Sequence, residues 1–309
     1  MLDAKQLEAL AAVLENGSFG GAASALSMTL AAVSLRIKSL EISLGQRLLV
    51  RGKHVRATPA GQALLGHIKR VQLLESDLTA QLPGTARQPG AWQTLSVAVN
   101  ADSLTSWFLP GVAPALQANR LLLDTMVDDQ DHTHEALTNG DVMGCVTALS
   151  GAMRGCVAEP LGIMRYRCMA APSLLALLKD KSRSGNVSAH QLLAQPAVIF
   201  NRKDGLQDAF LTQHLKLRGA LYPRHFVPSV DGFETALVLG MGWGMVPEVL
   251  LAARQKRSSR EGVSSLVEVL PGRTVDVALY WQHWAREPTS GQRLTQAVQS
   301  AAKARLLQA

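Results

Sequence analysis

Basic side chains are concentrated in one short stretch of this 309-residue chain. Residues 36–70 contain eight lysines and arginines but only one acidic residue, Glu41, so the stretch carries a net charge of +7, equal to the formal charge of the whole chain. Such a cluster suits a polyanion such as DNA, because neutralising phosphates releases condensed counterions. A solvated basic face without a partner is the other explanation of the charge alone.

A second set of polar residues recurs in the C-terminal two thirds, where apolar segments of β-strand type end. Carboxylates there suit an ammonium or guanidinium group, and Ser103 at a helix N-terminus with Thr147 suits a ligand carboxylate. Taken singly, each such residue is more often a helix cap or a solvated loop group. The candidate small-molecule site comprises Asn100, Asp102, Ser103, Asp128, Asp129, Thr147, Asn201, Asp204, Ser229 and Asp231, with Glu234 near them.

Signatures of catalysis and of metal binding are missing from the sequence. GxSxG, HExxH and the Walker lysine motif do not occur. Cys145, Cys156 and Cys168 have neither disulfide-framework nor zinc-site spacing, so we expect reduced thiols. The polar run 131–135 has no matching ligand cluster elsewhere and is interpreted as solvated. We therefore expect no enzyme, no metal and no cofactor.

Length and composition indicate a globular protein of about two domains. Hydrophobic residues make up 47% and charged residues 18% of the chain, which excludes a disordered or fibrous protein. No apolar run approaches the roughly 18 residues that a membrane span needs. Asp3 and Glu8 stand where a signal peptide would be basic and then apolar. We expect a cytoplasmic protein that does not cross a membrane.

Three helices precede and overlap the basic stretch. Asp3, Ser18 and Thr29 have the residue types that cap helix N-termini, and Gly45 is a typical helix stop. The second and third helices, separated by a tight turn, form the pattern of a helix-turn-helix, with the third as the reading helix. Its core-facing residues should be Val33, Ile37, Leu40 and Leu44, and the opposite face should be Ala31, Leu35, Lys38 and Ile42.

A short basic hairpin and a long helix follow. Residues 48–57 resemble the wing of a winged helix-turn-helix, and Thr58-Pro59 is a strong helix start. The helix extends to the Pro83-Gly84 break, about 36 Å at 1.5 Å per residue, which is too long to pack wholly on the head. Apolar spacings of three and four predict that it pairs with a second copy through Leu64, Ile68, Val71, Leu78 and Leu82.

The rest of the chain alternates strand-like and helix-like segments, which favours an α/β fold with mostly parallel sheets. Strands are predicted at 94–99, 121–127, 142–148, 157–160, 166–170 and 197–200. In such folds ligands bind in a cleft at the carboxyl ends of the strands, where the candidate small-molecule residues lie.

The sequence resembles the LysR family of transcriptional regulators. The resemblance is carried by Gly17-Ser18-Phe19, Ala22-Ala23, Leu26, Ala32-Val33-Ser34, Arg36-Ile37, Leu40-Glu41, Leu44-Gly45, Leu48-Leu49, Arg51 and Thr58 to Gly61. Residues 97–103 and 107–110 are similar to the branch that controls lysine and arginine exporters. The resemblance implies dimers or dimers of dimers, with RNA polymerase as a further partner, and a two-lobed effector domain like a periplasmic binding protein.

These expectations combine into one domain scheme. It places an all-α winged helix-turn-helix domain at 1–58, a linker helix at 59–82, a hinge at 83–91 and an α/β effector domain at 92–309. Lobe I comprises 92–160 and 269–309, and lobe II comprises 161–268.

Double-stranded DNA is the expected macromolecular partner, and a small molecule, with lysine or arginine as candidates, is the expected effector. The candidate DNA-contacting residues are Thr29, Leu30, Ala31, Ser34, Leu35, Arg36, Lys38, Arg51, Lys53, His54 and Arg56. Leu30 and Leu35 depart from the family, which often has glutamine and a polar residue there, so a nucleoid-type protein of low sequence specificity is one alternative. A solute-binding protein or enzyme with a basic appendage is the other.

Overall fold

The structure is a computed structural model, which describes residues 2–50, 52, 55–81, 92–127, 136–138, 140–180, 187–251 and 266–308. The first part of the chain, called the head below, has its own hydrophobic core, and the part from residue 92 onward has another. The head and linker elements are α1 (Ala4–Glu15), α2 (Phe19–Ala25), α3 (Leu30–Leu44), β1 (Leu49–Val50), β2 (Arg56–Ala57) and α4 (Pro59–Gln81).

Local sequence signals set the ends of the head helices. The Asp3 carboxylate accepts hydrogen bonds from the Lys5 and Gln6 amides, the Ser18 hydroxyl accepts from the Gly21 amide, and the Thr29 hydroxyl accepts from the Ala32 amide. Gly45 ends α3 with a φ of +65°. Each cap satisfies an amide that lacks a partner within its helix, so the predicted helix-turn-helix is confirmed.

The core face of α3 agrees with its predicted periodicity in three of four positions. Val33, Ile37 and Leu40 are buried in the head core. The prediction for Leu44 is wrong, because this side chain lies in the last turn before the Gly45 stop and is 40% exposed. The buried face of α3 therefore comprises three side chains.

The predicted wing is a two-stranded antiparallel hairpin, in which Leu49 pairs with Ala57 and Val50 with Arg56. Arg51, Lys53 and His54 lie outside the described residues. Gly61 allows α4 to approach the hairpin, because a Cβ atom there would lie 2.0 Å from the Leu48 carbonyl oxygen. The wing is thus held against the start of the long helix.

The two halves of α4 have different environments. Leu65 and Ile68 are buried in the head core, whereas Leu74 and Leu78 are at least half exposed. The prediction of one continuous pairing seam is wrong in its first half, because the head covers Ile68. Leu82 lies outside the described residues.

An isoleucine pair tests this assignment. Ile68→Val is expected to lower the free energy of unfolding of the head by about 1 kcal/mol, since it removes a methyl group from a closely packed core. Ile42→Val, the same change at a position that is 70% exposed on α3, should alter that free energy by less than about 0.5 kcal/mol. Urea denaturation with hydrogen exchange of head amides measures both, and equal losses would contradict the burial of Ile68.

A seven-stranded mixed sheet dominates the C-terminal domain. Its strand order is β10 (Val267–Glu268), β6 (Cys156–Ala170), β11 (Thr274–Trp284), β5 (Gly144–Thr147), β3 (Gln93–Ala98) and β4 (Leu121–Met126). Strand β9 (Gly244–Pro247) also pairs with β6. Strand β3 is parallel to β4 and β5, whereas β6 and β11 are antiparallel to each other along eleven positions. The α/β fold is confirmed, and the prediction of mostly parallel strands is wrong because these two long strands run in opposite directions through the domain.

The predicted strands 157–160 and 166–170 are one continuous strand, β6, which passes through the predicted lobe boundary near Leu161. The prediction of two short strands separated by a break is therefore wrong. Gly162 takes a φ of +129° opposite an irregularity between Leu279 and Tyr280, so the strand accommodates it without ending.

The remaining bounds complete the C-terminal domain. A short helix, α5, runs through a π-helical segment, Leu104–Phe108, into α6. The strands are β3 (Gln93–Ala98), β4 (Leu121–Met126), β5 (Gly144–Thr147), β6 (Cys156–Ala170), β7 (Ala197–Ile199), β8 (Arg224–Phe226), β9 (Gly244–Pro247), β10 (Val267–Glu268) and β11 (Thr274–Trp284). The helices are α5 (Ala101–Ser103), α6 (Leu109–Ala118), α7 (Pro172–Asp180), α8 (Ala189–Leu193), α9 (Leu206–Leu215), α10 (Val230–Val238) and α11 (Thr289–Arg305).

One face of α4 contacts the C-terminal domain. The Gln62 amide hydrogen-bonds to Asp141, the backbones of Gly66 and Gly140 touch, and the Arg70 guanidinium lies over the Trp284 ring. A Cβ atom on Gly140 would lie 2.6 Å from the Gly66 Cα atom. Positions 62, 66 and 70 are four residues apart and so share one helix face, which we call the docking stripe.

No single helix among the described residues is long and apolar enough to cross a membrane. The bent pair of α2 and α3, at 108° to each other, meets the criteria of length and composition together.

Candidate functional site

The outer face of α3 presents most of the candidate DNA-contacting residues. Leu30 is 57% exposed and Leu35 is 68% exposed, and Ala31 and Lys38 are exposed beside them. Leu30 is thus nearly as accessible as Leu35. Exposed leucines on a basic helix suit contacts with thymine methyl groups and supply no hydrogen bond to a base.

The polar members of this face differ in their availability. Lys38 is exposed, as is Arg56 on β2 of the wing, whereas the Arg36 guanidinium donates a 3.4 Å hydrogen bond to the Lys5 carbonyl oxygen. Ser34 is half-buried. Thr29 is exposed at the positive end of α3, where its hydroxyl already caps the helix.

A cavity of about 700 Å³ lies between segments that are far apart in the sequence. The end of β3 contributes Asn100 and Asp102, and the turn after β7 contributes Asn201 and Asp204. Strands β6 and β11 form another wall. Four sequence-predicted residues therefore meet in one cleft at strand ends, and its volume suits a small ligand. In the part of the chain that the structure describes, no group of three metal-binding side chains is present.

Asp102 is a buried acid of this cleft with a perturbed pKa. Burial raises its pKa to about 6, and repulsion from Asp204 adds to the shift. The Tyr166 hydroxyl opposes the shift by donating a 3.0 Å hydrogen bond to the Asp102 carboxylate. The pKa of Tyr166 is itself raised well above its ordinary value, mainly by burial. A buried acid beside a second carboxylate favours a cationic ligand group.

The turn after β7 is organised by its own side chains. The Asp204 carboxylate accepts hydrogen bonds from the Phe200 and Leu206 amides, at 3.2 and 3.0 Å. The Asn201 side-chain oxygen accepts from the Lys203 and Asp204 amides. Both residues thus shape the turn while they line the cavity, and Lys203 is a basic neighbour in the same lining.

Ser103 and Thr147 lie one residue away from the cavity-lining positions Asp102 and Ala148. The Ser103 amide donates to the Asn100 side chain at 2.8 Å, so it is not free to bind a ligand carboxylate as its place in the sequence predicts. The buried Ser103 hydroxyl has no partner among the described residues. The Thr147 hydroxyl accepts a hydrogen bond from the Leu149 amide.

The remaining candidates lie at the edge of the cleft or beyond the described residues. The Ser229 hydroxyl caps α10 by accepting from the Gly232 amide, and Asp231 is exposed. Glu234, one turn later, lines an apolar side chamber together with Asp102 and Asp204. Asp128 and Asp129, like the run 131–135, lie outside the described residues.

Tyr166 was missed by sequence reasoning. It lies within β6, 64 residues from Asp102 in the sequence. No local sequence pattern identifies it as a polar residue of a binding site. Only the pairing of β6 in the sheet brings its hydroxyl to the cleft.

The three cysteines are free, as expected. Cys145 and Cys168 are buried, and burial raises the pKa of the Cys145 thiol to about 12. A buried neutral thiol is a poor nucleophile.

A winged helix-turn-helix head joined by a long helix to a two-lobed domain with a cleft defines a class, the ligand-responsive transcriptional regulators of bacteria. Residues 4–62 match the lysR family of bacterial regulatory helix-turn-helix proteins, and residues 91–303 match the LysR substrate binding domain. The chain belongs to the LysR family and is a transcriptional regulator that binds DNA, not an enzyme.

Three comparisons place the chain within this family. It is 39% identical over 284 residues to the transcriptional regulator ArgP of Pseudomonas aeruginosa, covering 92% of this chain and 90% of that protein. The crystal structure of ArgP from Mycobacterium tuberculosis is similar, with a TM-score of 0.85, 38% identity and full coverage of both chains. Full-length LysG from Corynebacterium glutamicum with bound effector Arg has a TM-score of 0.76 and 33% identity, covering 99% of this chain and 100% of that one.

Proposed function

We propose that a basic amino acid, arginine or lysine, binds in the 700 Å³ cleft and changes the affinity or geometry of the head on DNA. The observation that carries this proposal is the buried Asp102 carboxylate with Asp204 beside it, since a cationic group would stabilise the ionised form of both. The arginine bound to the similar LysG supports the ligand class. The ligand acts through its different affinities for two arrangements of the subunits.

In this proposal, the residues that contact the ligand include every residue predicted from the sequence. Asp102, Asp204 and Glu234 hold the cationic group in this proposal, and Asn100, Asn201 and the Ser103 hydroxyl orient the rest of the amino acid. Thr147, Ser229 and Asp231 complete the set at its periphery. Asp128 and Asp129, which lie outside the described residues, keep the ligand-binding role proposed from the sequence.

DNA contacts are assigned to the outer face of α3 and to the wing. Lys38, Arg36 and Arg56 bind phosphates, and Leu35 and Leu30 contact base methyl groups. Thr29, Ala31, Ser34, Arg51, Lys53 and His54 complete the proposed interface.

The proposed domains keep the bounds predicted from the sequence: head 1–58, linker helix 59–82, hinge 83–91 and effector domain 92–309, with lobes dividing at 160/161 and 268/269. Two copies associate through the exposed Leu74 and Leu78 of α4, in a dimer or tetramer. The protein acts in the cytoplasm on an amino-acid exporter gene, and RNA polymerase is its further partner.

A salt series tests the DNA part of the proposal. The triple change of Arg36, Lys38 and Arg56 to alanine is expected to weaken binding to all sequences similarly and to reduce the slope of log K against log salt by about 0.9 for each phosphate that is no longer neutralised. Fluorescence anisotropy of full-length protein on the DNA beside its own gene measures this slope. An unchanged slope would remove these residues from the interface.

A nucleoid-type protein of low specificity is the second candidate, favoured by the exposure of Leu30 and Leu35 on the reading face. The same titrations separate the two functions if scrambled DNA is included at each salt concentration. A regulator binds its own DNA about a thousandfold or more tightly than scrambled DNA. Equal affinities would favour the nucleoid-type function.

A further inference from the structure

A second cavity, of about 300 Å³, lies where the docking stripe of α4 meets the C-terminal domain. It is separate from the cleft and shares none of its lining residues. Arg70 and Leu74 of α4 form one side, and the end of β11 with the turn that follows it forms the other. The lining residues are Arg70, Leu74, Gly155, Trp284, Ala285, Arg286 and Pro288.

Two hydrogen-bond donors at this cavity are buried without a partner among the described residues. Trp284 is only 6% exposed, and its indole Nε1 is unpaired. The Arg70 Nε is also unpaired, while its guanidinium carbon lies 4.7 Å from the centre of the Trp284 ring. Neither atom is exposed to solvent, so the cavity meets the other atoms of these two side chains.

The charge of the cavity is positive. Arg286 supplies a second guanidinium, and the lining contains no carboxylate among the described residues. The nearest acid in the sequence, Glu287, is turned inward, where it pairs with His283 at 3.1 Å and accepts a 2.7 Å hydrogen bond from the Thr295 hydroxyl. Its carboxylate is therefore engaged by His283 and Thr295.

The remaining walls are apolar. Pro288 and the indole ring of Trp284 offer contact to hydrocarbon or aromatic groups. Two guanidinium groups can bind one anionic group through charge-assisted hydrogen bonds. A ligand that satisfies both features has an anionic head and an apolar body.

We propose that this cavity is a second ligand site, which binds a small organic anion with a carboxylate or phosphate group. The anion pairs with the guanidinium groups of Arg70 and Arg286, while its apolar body packs on Pro288 and the Trp284 ring. Because Arg70 belongs to α4 and Arg286 to the C-terminal domain, the bound anion links the two parts and stabilises the docking stripe in its observed position.

Benzoate and phenyl phosphate are suitable probes, with benzyl alcohol and benzylamine as neutral and cationic controls of the same size. Titration of the full-length protein with each probe is monitored by calorimetry and tryptophan fluorescence. Saturable binding is expected for the two anions and not for benzyl alcohol or benzylamine. Preference for benzoate or for phenyl phosphate identifies the anionic group. Binding of benzyl alcohol as tight as that of benzoate, or no saturable binding of either anion, would overturn the proposal.

Variants locate the bound anion. Arg286→Gln, at an exposed side chain, is expected to weaken anion binding about tenfold or more, and Arg70→Lys should weaken it while keeping the charge. Arg293→Gln, an exposed arginine on α11 outside the cavity, is the matched control. Asp102→Asn should leave anion binding unchanged, which separates this site from the cleft. Unaltered affinity in Arg286→Gln would contradict the assignment. A second copy of the chain that covers the cavity and excludes all probes would also contradict it.

Discussion

Replacement of Asp102 by asparagine is expected to lower the affinity for arginine about a hundredfold or more. The carboxylate is buried, so its attraction to a ligand cation is little screened by water. Removing one partner of a buried, hydrogen-bonded charge pair typically costs about 2 to 5 kcal/mol of binding free energy. Isothermal calorimetry with arginine, lysine and leucine measures the loss, and DNA binding should persist in the variant.

The control for this change is Asp124→Asn, at an exposed carboxylate on β4 that accepts a hydrogen bond from the Ser96 hydroxyl and lies outside the cleft. It should bind arginine as the unmodified protein does. Equal or absent heats for arginine, lysine and leucine in the unmodified protein would exclude a cationic ligand.

The raised pKa of Asp102 adds a pH dependence to this prediction. Because its pKa is about 6 in the folded protein against an ordinary 3.8, folding favours the protonated form. Its contribution to stability in the empty protein therefore falls as pH rises from about 4 to about 6. Arginine needs the ionised form, so its affinity should rise across about pH 5 to 7.5, and Asp102→Asn should remove this rise.

Replacement of Leu35 by glutamate is the second change with a large expected effect, a loss of DNA affinity of about a hundredfold or more. Leu35 is 68% exposed on the outer face of α3, so the head should fold normally. In the proposed interface a carboxylate at this position enters the negative field of bound DNA, and opposed like charges at an interface cost several kcal/mol. Fluorescence anisotropy at one salt concentration measures the loss.

Leu221→Glu is the matched control, because Leu221 is 92% exposed and lies in the C-terminal domain, between α9 and β8. It introduces the same charge at a distance from the head and should leave DNA affinity within about twofold. Near-normal DNA binding by Leu35→Glu, with an unchanged melting temperature, would show that the outer face of α3 does not meet DNA.

The helix-turn-helix was predictable because its determinants are local. Asp3, Ser18 and Thr29 each cap amides two or three residues away, so the residue type and its spacing were sufficient to locate the helix starts. Periodicity likewise identified Val33, Ile37 and Leu40 as the core face of α3.

The same periodicity failed on α4. An apolar stripe predicts that one face of a helix is buried, but it does not identify the element or subunit that covers this face. Ile68 and Leu78 continue one pattern, yet the head core covers the first and leaves the second exposed. The prediction for β6 was wrong for a related reason. The sequence does not show that β11 pairs with β6 on both sides of Gly162 and so keeps it one continuous strand.

The sequence by itself determined the helix caps, the wing, the basic charge of the reading face and the polar residues at strand ends. The tertiary structure alone decided that Tyr166 meets Asp102 across 64 residues and that Arg70 meets Trp284. The physical reason is the sequence separation between the residues that interact. Caps and periodicities are complete within a few residues, whereas the cleft and the docking stripe depend on which strands pair and on where α4 lies against the sheet.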